Sequence, residues 1–179
     1  MRIFVTGACG FIGSHLVEKL IKNNYKVRAL TYYNPHDSIG CLKYLNKKIF
    51  DKLEIINGDV RDLQLISNCT KRTDVIIHLA ALIGIPYSYH AVKSYIDTNV
   101  NGTFNILNAA RINKVKKILI TSTSEVYGSA REVPIKETHP LNAQSPYAAS
   151  KIAADQFSLS FFNSFKTPVT IIRPFNSYG

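Results

Sequence analysis

The sequence predicts an α/β fold on a doubly wound parallel sheet, and three observations lead there. Short apolar strands alternate with amphipathic helices from end to end. The strands are apolar on both faces, as a sheet covered on both sides by helices requires. A glycine-rich turn joins the first strand to the first helix. Right-handed crossovers between parallel strands then wind the sheet in both directions.

The elements follow in order. Arg2–Thr6 is a short apolar strand. Ile12, Leu16, Val17, Leu20 and Ile21 recur at helical spacing, and Asn23-Asn24 ends that helix. Lys26–Thr31, Leu53–Asn57 and Asp74–Ala80 read as strands two to four. A long helix is expected over much of Tyr89–Asn113, and Lys116–Ser122 forms strand five. After the loop Glu125–Pro146, a second long helix spans Pro146–Phe165, and Val169–Arg173 makes strand six. Residues 1–179 are long enough for one domain with a sizeable core.

Composition narrows the function. With 46% hydrophobic and 19% charged residues, the chain should fold rather than remain disordered. No apolar run approaches the roughly 18 residues that cross a bilayer, so no membrane partner is expected. The N-terminus lacks the apolar stretch and cleavage site of a signal peptide, which implies a cytoplasmic protein. The 3 cysteines form no C-x-x-C pair and the 5 histidines lack ligand spacing, so no disulfide framework and no metal is expected. The net charge of +10 raises the question of nucleic acid. The basic residues are scattered, with short groups only at Lys47–Lys48 and Lys114–Lys117, so a nucleic-acid partner is not expected. A basic surface also suits an anionic nucleotide ligand.

The first strand runs into Thr6-Gly7-Ala8-Cys9-Gly10-Phe11-Ile12-Gly13, and a helix follows. Gly7 permits the tight turn, Gly10 lets backbone approach a pyrophosphate, and Gly13 lets helix and strand pack closely. The free amides and dipole at the helix start then stabilise the diphosphate. This is the dinucleotide site of a Rossmann fold. Its spacing, G-x-x-G-x-x-G, resembles the short-chain dehydrogenase/reductase family.

Other segments resemble that family in turn. Gly58-Asp59-Val60 matches the segment whose Asp meets the adenine amino group. His78-Leu79-Ala80-Ala81 resembles the backbone lining the nicotinamide-ribose side, and Asn99 the residue bracing the active-site helix. The resemblance extends cofactor contact to Phe11, Ile12, Val60, Ser122 and Pro174. One departure stands out. The acid that usually follows strand two is absent from Ala29-Leu30-Thr31-Tyr32-Tyr33-Asn34, and no arginine follows there either. NAD is therefore the expected cofactor, with NADP left open.

Tyr147 and Lys151 lie four apart on the last long helix, hence on one face. Tyr44/Lys48 and Tyr89/Lys93 share that spacing, so context must separate the pairs. Only Tyr147 follows the polar run Thr121-Ser122-Thr123-Ser124-Glu125 at the end of strand five, where such a sheet opens its ligand crevice. A free phenol has pKa ~10, and a neighbouring ammonium can lower it by roughly 1–3 units towards a useful general base.

Thr121–Gly128 reads T-S-T-S-E-V-Y-G and resembles the sugar-nucleotide 4,6-dehydratases. By that resemblance Tyr147 and Lys151 are catalytic, Thr123 binds the sugar 4-oxygen, Ser124 protonates the departing 6-hydroxyl and Glu125 removes the C5 proton. Tyr147 and Lys151 also contact the cofactor, and Asn176 the substrate. His78–His90, Ser145-Pro146-Tyr147 and Arg173–Gly179 resemble bacterial enzymes on UDP-N-acetylglucosamine-type substrates, a subgroup that includes dehydratases of the legionaminic-acid pathway. The chain is thus identified as a member of the extended short-chain dehydrogenase/reductases, in the NAD-dependent epimerase/dehydratase family. The resemblance implies a lyase acting on a nucleotide-activated sugar. UDP-glucuronate decarboxylases share T-S-E-V-Y-G, and 4-epimerases share the scaffold; both stay open. The family adds a C-terminal substrate domain after strand six, which the 179 residues do not reach, so a nucleotide-binding fragment without turnover is a further alternative. The two long helices also imply a homodimer, although Ile152, Phe157, Leu159 and Phe161 suit packing on the sheet equally.

Overall fold

The computed structural model describes residues 1–36 and 38–177. Tyr178 and Gly179, which close the Arg173–Gly179 segment, lie outside the described residues. Six parallel strands, β1 (Arg2–Thr6), β2 (Lys26–Tyr32), β3 (Glu54–Gly58), β4 (Val75–His78), β5 (Lys117–Thr121) and β6 (Val169–Ile172), form one sheet. Their order is β3-β2-β1-β4-β5-β6. The winding therefore reverses between β1 and β4, which pair directly, with Thr6 opposite His78. The strand register aligns Thr6, Tyr32, Gly58, His78, Thr121 and Ile172 near one edge of the sheet. That edge is where an open α/β sheet holds its ligand.

The alternation of side chains along β1 divides the core into two layers. Ile3 and Val5 face α1 (Phe11–Lys22), meeting Val17 and Ile21. Phe4 faces the other layer, with Ile66 of α3 (Leu63–Thr70), Ile106 of α6 (Gly102–Ile112) and Phe161 of α7 (Pro146–Phe165). Short helices α2 (Lys47–Phe50), α4 (Ile85–Ser88) and α5 (Val92–Tyr95) complete the set. No helix among the described residues is long and apolar enough to cross a membrane.

The long helix expected over much of Tyr89–Asn113 runs from Val92 to Ile112, but not as α-helix throughout. Between α5 and α6 lies a π-helical turn, Ile96–Asn101. Such turns recur at functional sites because the widened ring re-aims one side chain; here the buried residue is Asn99. Nothing in hydrophobic spacing marks the change. By contrast α7 has the bounds expected from sequence. Ser145 caps it by accepting a hydrogen bond from the Ala148 amide at 3.0 Å, and Pro146 occupies its first turn, where the missing N–H costs nothing.

Candidate active site

A cavity of about 900 Å³ opens along the carboxyl edge of the sheet. One wall is the β1–α1 turn, lined by Gly7, Gly10, Phe11, Ile12 and Gly13. This wall is backbone at close quarters. A Cβ on Gly7, whose φ is +66°, would stand 2.7 Å from the Ala80 nitrogen, and one on Gly13 would stand 2.2 Å from the Gly7 oxygen. Gly10 has room on the cavity side, where a Cβ would meet only the Gly7 oxygen at 3.4 Å. Leu79, Ala80 and Ala81 continue the wall after β4. They are held by His78, whose Nδ1 lies 2.7 Å from the Thr6 hydroxyl, which in turn accepts from the Ala80 amide at 3.2 Å. Burial, with the Lys151 charge assisting, pushes the His78 imidazole down to about 3, so it is a neutral brace.

The far wall is made of side chains. Ser122, Thr123 and Glu125 follow β5, and Tyr147 and Lys151 project from α7 into the same cavity. Lys151 is 3% exposed, and its Nζ donates to the Thr121 carbonyl at 2.6 Å. Desolvation pushes this ammonium down to about 8, against the pull of Asp155. Thr123 accepts a hydrogen bond from the Glu125 amide at 3.2 Å, which starts the 3₁₀ turn Ser124–Tyr127 and sets Glu125 on the cavity rim. Asn99 fastens α7 from behind. Its Nδ2 donates to Ser150 Oγ and to the Leu82 carbonyl, both at 2.9 Å, while its Oδ1 accepts from the Leu82 amide at 2.8 Å. Ser150 lies between the tyrosine and the lysine, and donates to the Tyr147 carbonyl at 2.7 Å.

One expectation needs correction. The sequence reading lets Lys151 lower the Tyr147 pKa, yet the phenol is raised. Burial is the main cause, a hydrogen bond with Thr123 opposes it, and Glu125 adds to the rise. Lys151 is turned to the Thr121 carbonyl instead. Ser124 does not line the main cavity. It shares an adjoining recess with Glu125 and Asn176, and its amide donates to the Pro174 carbonyl at 3.1 Å. Glu125 and Asn176 line both spaces.

The remaining expected residues, Asp59, Val60 and Pro174, also line the main cavity. Asp59 reaches it already paired: its carboxylate accepts from Arg61 Nε and Nη2, and Arg61 holds its pKa below the usual range. Arg61 itself lines the cavity beside Tyr32 and was missed from sequence. The ribose partner is expected after β2, whereas this cation arrives from the loop after β3. Tyr44 and Tyr89, the decoy tyrosines, are 78% and 58% exposed and line neither space.

The residues present fit a bound dinucleotide. Gly10 leaves space against the start of α1. Ser122 Oγ is buried at the cavity with no hydrogen-bond partner among the described residues, a vacancy that a ligand hydroxyl would satisfy.

A family profile described as GDP-mannose 4,6 dehydratase matches residues 4–179. The chain belongs to this family. It is 32% identical to the human dTDP-D-glucose 4,6-dehydratase, over 99% of this chain and 51% of that protein. The solved dTDP-glucose 4,6-dehydratase of Streptomyces venezuelae, crystallised with NAD bound, is 33% identical. It matches with a TM-score of 0.85 over 100% of this chain and 57% of its own. The UDP-N-acetylglucosamine 4-epimerase of Methanobrevibacter ruminantium is also 33% identical, with a TM-score of 0.90 over 99% of this chain and 56% of its own. The family resemblance drawn from the glycine turn is thereby borne out. The chain spans about half the length of these relatives.

Proposed function

We propose that residues 1–179 are the dinucleotide-binding domain of an NAD-dependent nucleotide-sugar 4,6-dehydratase, a lyase, acting on a UDP-N-acetylhexosamine. One observation carries this reading: Glu125, Tyr147 and Lys151 share a cavity whose opposite wall is the glycine turn. NAD, when bound, accepts the hydride from sugar C4 and gives it back at C6, so the reaction has no net oxidation. The α1 amides and dipole hold the diphosphate. Asp59 and Val60 receive the adenine, and Arg61 beside them leaves NADP acceptable. Leu79, Ala80, Ala81, Ser122 and Pro174 frame the nicotinamide riboside.

Tyr147 takes the O4 proton while Thr123 orients O4. Burial raises the phenol, and a positive charge brought beside it by the bound cofactor would act in the opposite sense. The new 4-ketone acidifies the C5 proton, which Glu125 removes. Ser124 and Asn176 occupy the recess that adjoins Glu125. There Ser124, directly or through water, protonates the departing 6-hydroxyl, and Asn176 binds the sugar. Partly exposed Phe104 and Phe157, ring centroids 6.5 Å apart on α6 and α7, offer a face for a homodimer.

A 4-epimerase is the second reading, favoured by the equal identity of the M. ruminantium enzyme. The test uses a form extended to the length of the relatives, given UDP-N-acetylglucosamine in heavy water. A dehydratase yields a product lighter by one water and carrying solvent deuterium at C5. An epimerase changes neither the composition nor C5, and that result would overturn the proposal. The 179-residue chain alone is expected to bind the cofactor without turnover.

A further inference from the structure

Helix α7 carries Tyr147, Lys151 and Asp155 at successive four-residue steps, hence along one stripe. The chemistry above uses the first two. Asp155 is 0% exposed. Its Oδ2 accepts from Arg173 Nε at 2.9 Å, and its Oδ1 meets no donor among the described residues. Arg173 is shared: Nη1 donates to the Tyr127 hydroxyl at 3.2 Å, and the guanidinium stacks on that ring at 5.2 Å. A dry carboxylate with one oxygen unmet is costly, and it keeps a strong field within a turn of the helix.

Lys151 needs such a field. Among the described residues its one hydrogen bond goes to a neutral carbonyl, that of Thr121. Tyr147 and Asp155 share its helix and His78 of β4 feels its charge; Tyr95 at the end of α5 and Glu125 after β5 stand by Tyr147, and Arg173 after β6 stands by Asp155. Both tyrosines are raised and uncharged at neutral pH, burial being the leading cause, and His78 is neutral. Arg173 is cationic and repels. Two anions remain. Glu125 is exposed, so water screens it. Asp155 is not screened.

We propose that Asp155 is a positioning residue whose buried carboxylate, fixed by Arg173, keeps Lys151 in its ammonium form at the cavity floor. This rests on the reading of Lys151 as a catalytic ammonium. Burial alone drives that group towards the free amine, and the Asp155 charge acts against it.

The test is an NMR titration of isotope-labelled lysine side chains in the 179-residue chain, with Lys151 assigned by its loss in Lys151→Arg. The wild-type midpoint should lie near 8. In Asp155→Asn it should fall by about one pH unit, a roughly tenfold loss of ammonium over amine at a given pH. Asp155→Glu, which keeps the charge, should recover most of the loss. If Asp155→Asn does not fold, the double variant Asp155→Asn/Arg173→Gln, which removes the carboxylate together with the guanidinium that holds it, should still show a fall, smaller because the Arg173 repulsion is lost as well; a double variant that titrates like wild type then counts against the proposal. A folded Asn variant titrating like wild type, or a Glu variant falling as far as Asn, overturns the proposal. The readout needs neither cofactor nor substrate, so its failure and failure of the dehydratase reading are separate results.

Discussion

At the β1–α1 turn the cavity wall is backbone, while across the sheet, between β5 and α7, it is side chains. The first wall has its shape fixed by sterics, since a Cβ on Gly7 or Gly13 would enter neighbouring backbone atoms. The second wall has its shape held by polar contacts that run Leu82, Asn99, Ser150, Tyr147. Its chemistry depends on protonation states that burial shifts. At Gly7 and Gly13 the first wall can therefore be broken only together with the fold, whereas the second can be silenced while the fold stands.

The largest effect expected from this division is in turnover. Tyr147→Phe in an extended enzyme should lower kcat by roughly 10²–10⁴-fold, while affinity for NADH, followed by fluorescence, stays near wild type. Parallel loss of binding would erase the distinction between the walls. Gly13→Ala should act the opposite way, costing about 3 kcal/mol in urea unfolding and weakening NADH binding with it.

Lys151 sharpens the comparison through pH. Its folded pKa is depressed to about 8 from an ordinary 10.5. Between these values the unfolded chain holds a proton that the folded chain has released. Stability from this group therefore rises as pH climbs from about 8 to 10.5, by on the order of 3 kcal/mol. Below pH 8 the contribution is flat, because both states are protonated. Lys151→Met should lack this rise, so the wild type should gain stability relative to it across that window in unfolding curves. The smallest effect belongs to Arg61, an exposed pair partner. Arg61→Ala should weaken NADPH binding severalfold more than NADH binding.

How far the sequence foretold this depended on what each residue answers to. The alternation of strands and helices and the glycine turn follow from apolar periodicity and from sites that only glycine tolerates, so both were legible. Helix α7 was legible in its extent, because its cap and its proline are local signals. The π turn at Asn99 was not, since it is set by what Asn99 meets in Leu82 and Ser150, distant in the chain. Arg61 escaped because only the β2–β3 register brings Tyr32 level with Gly58, and so their loops to one rim. Asp155 and Arg173 pair across 18 positions, a contact that no local pattern marks. The Tyr147 pKa ran opposite to expectation because spacing reveals neighbours but not burial.

The account's central claim is that both walls serve one dinucleotide. Equilibrium titration of the 179-residue chain with NADH, by nicotinamide fluorescence, tests it most directly. Saturation at one site is expected, lost in Gly10→Val, where the added methyls fill the space above the turn, and kept in Tyr147→Phe. A folded chain that binds no NADH, or a Gly10→Val variant that binds like wild type, would contradict it.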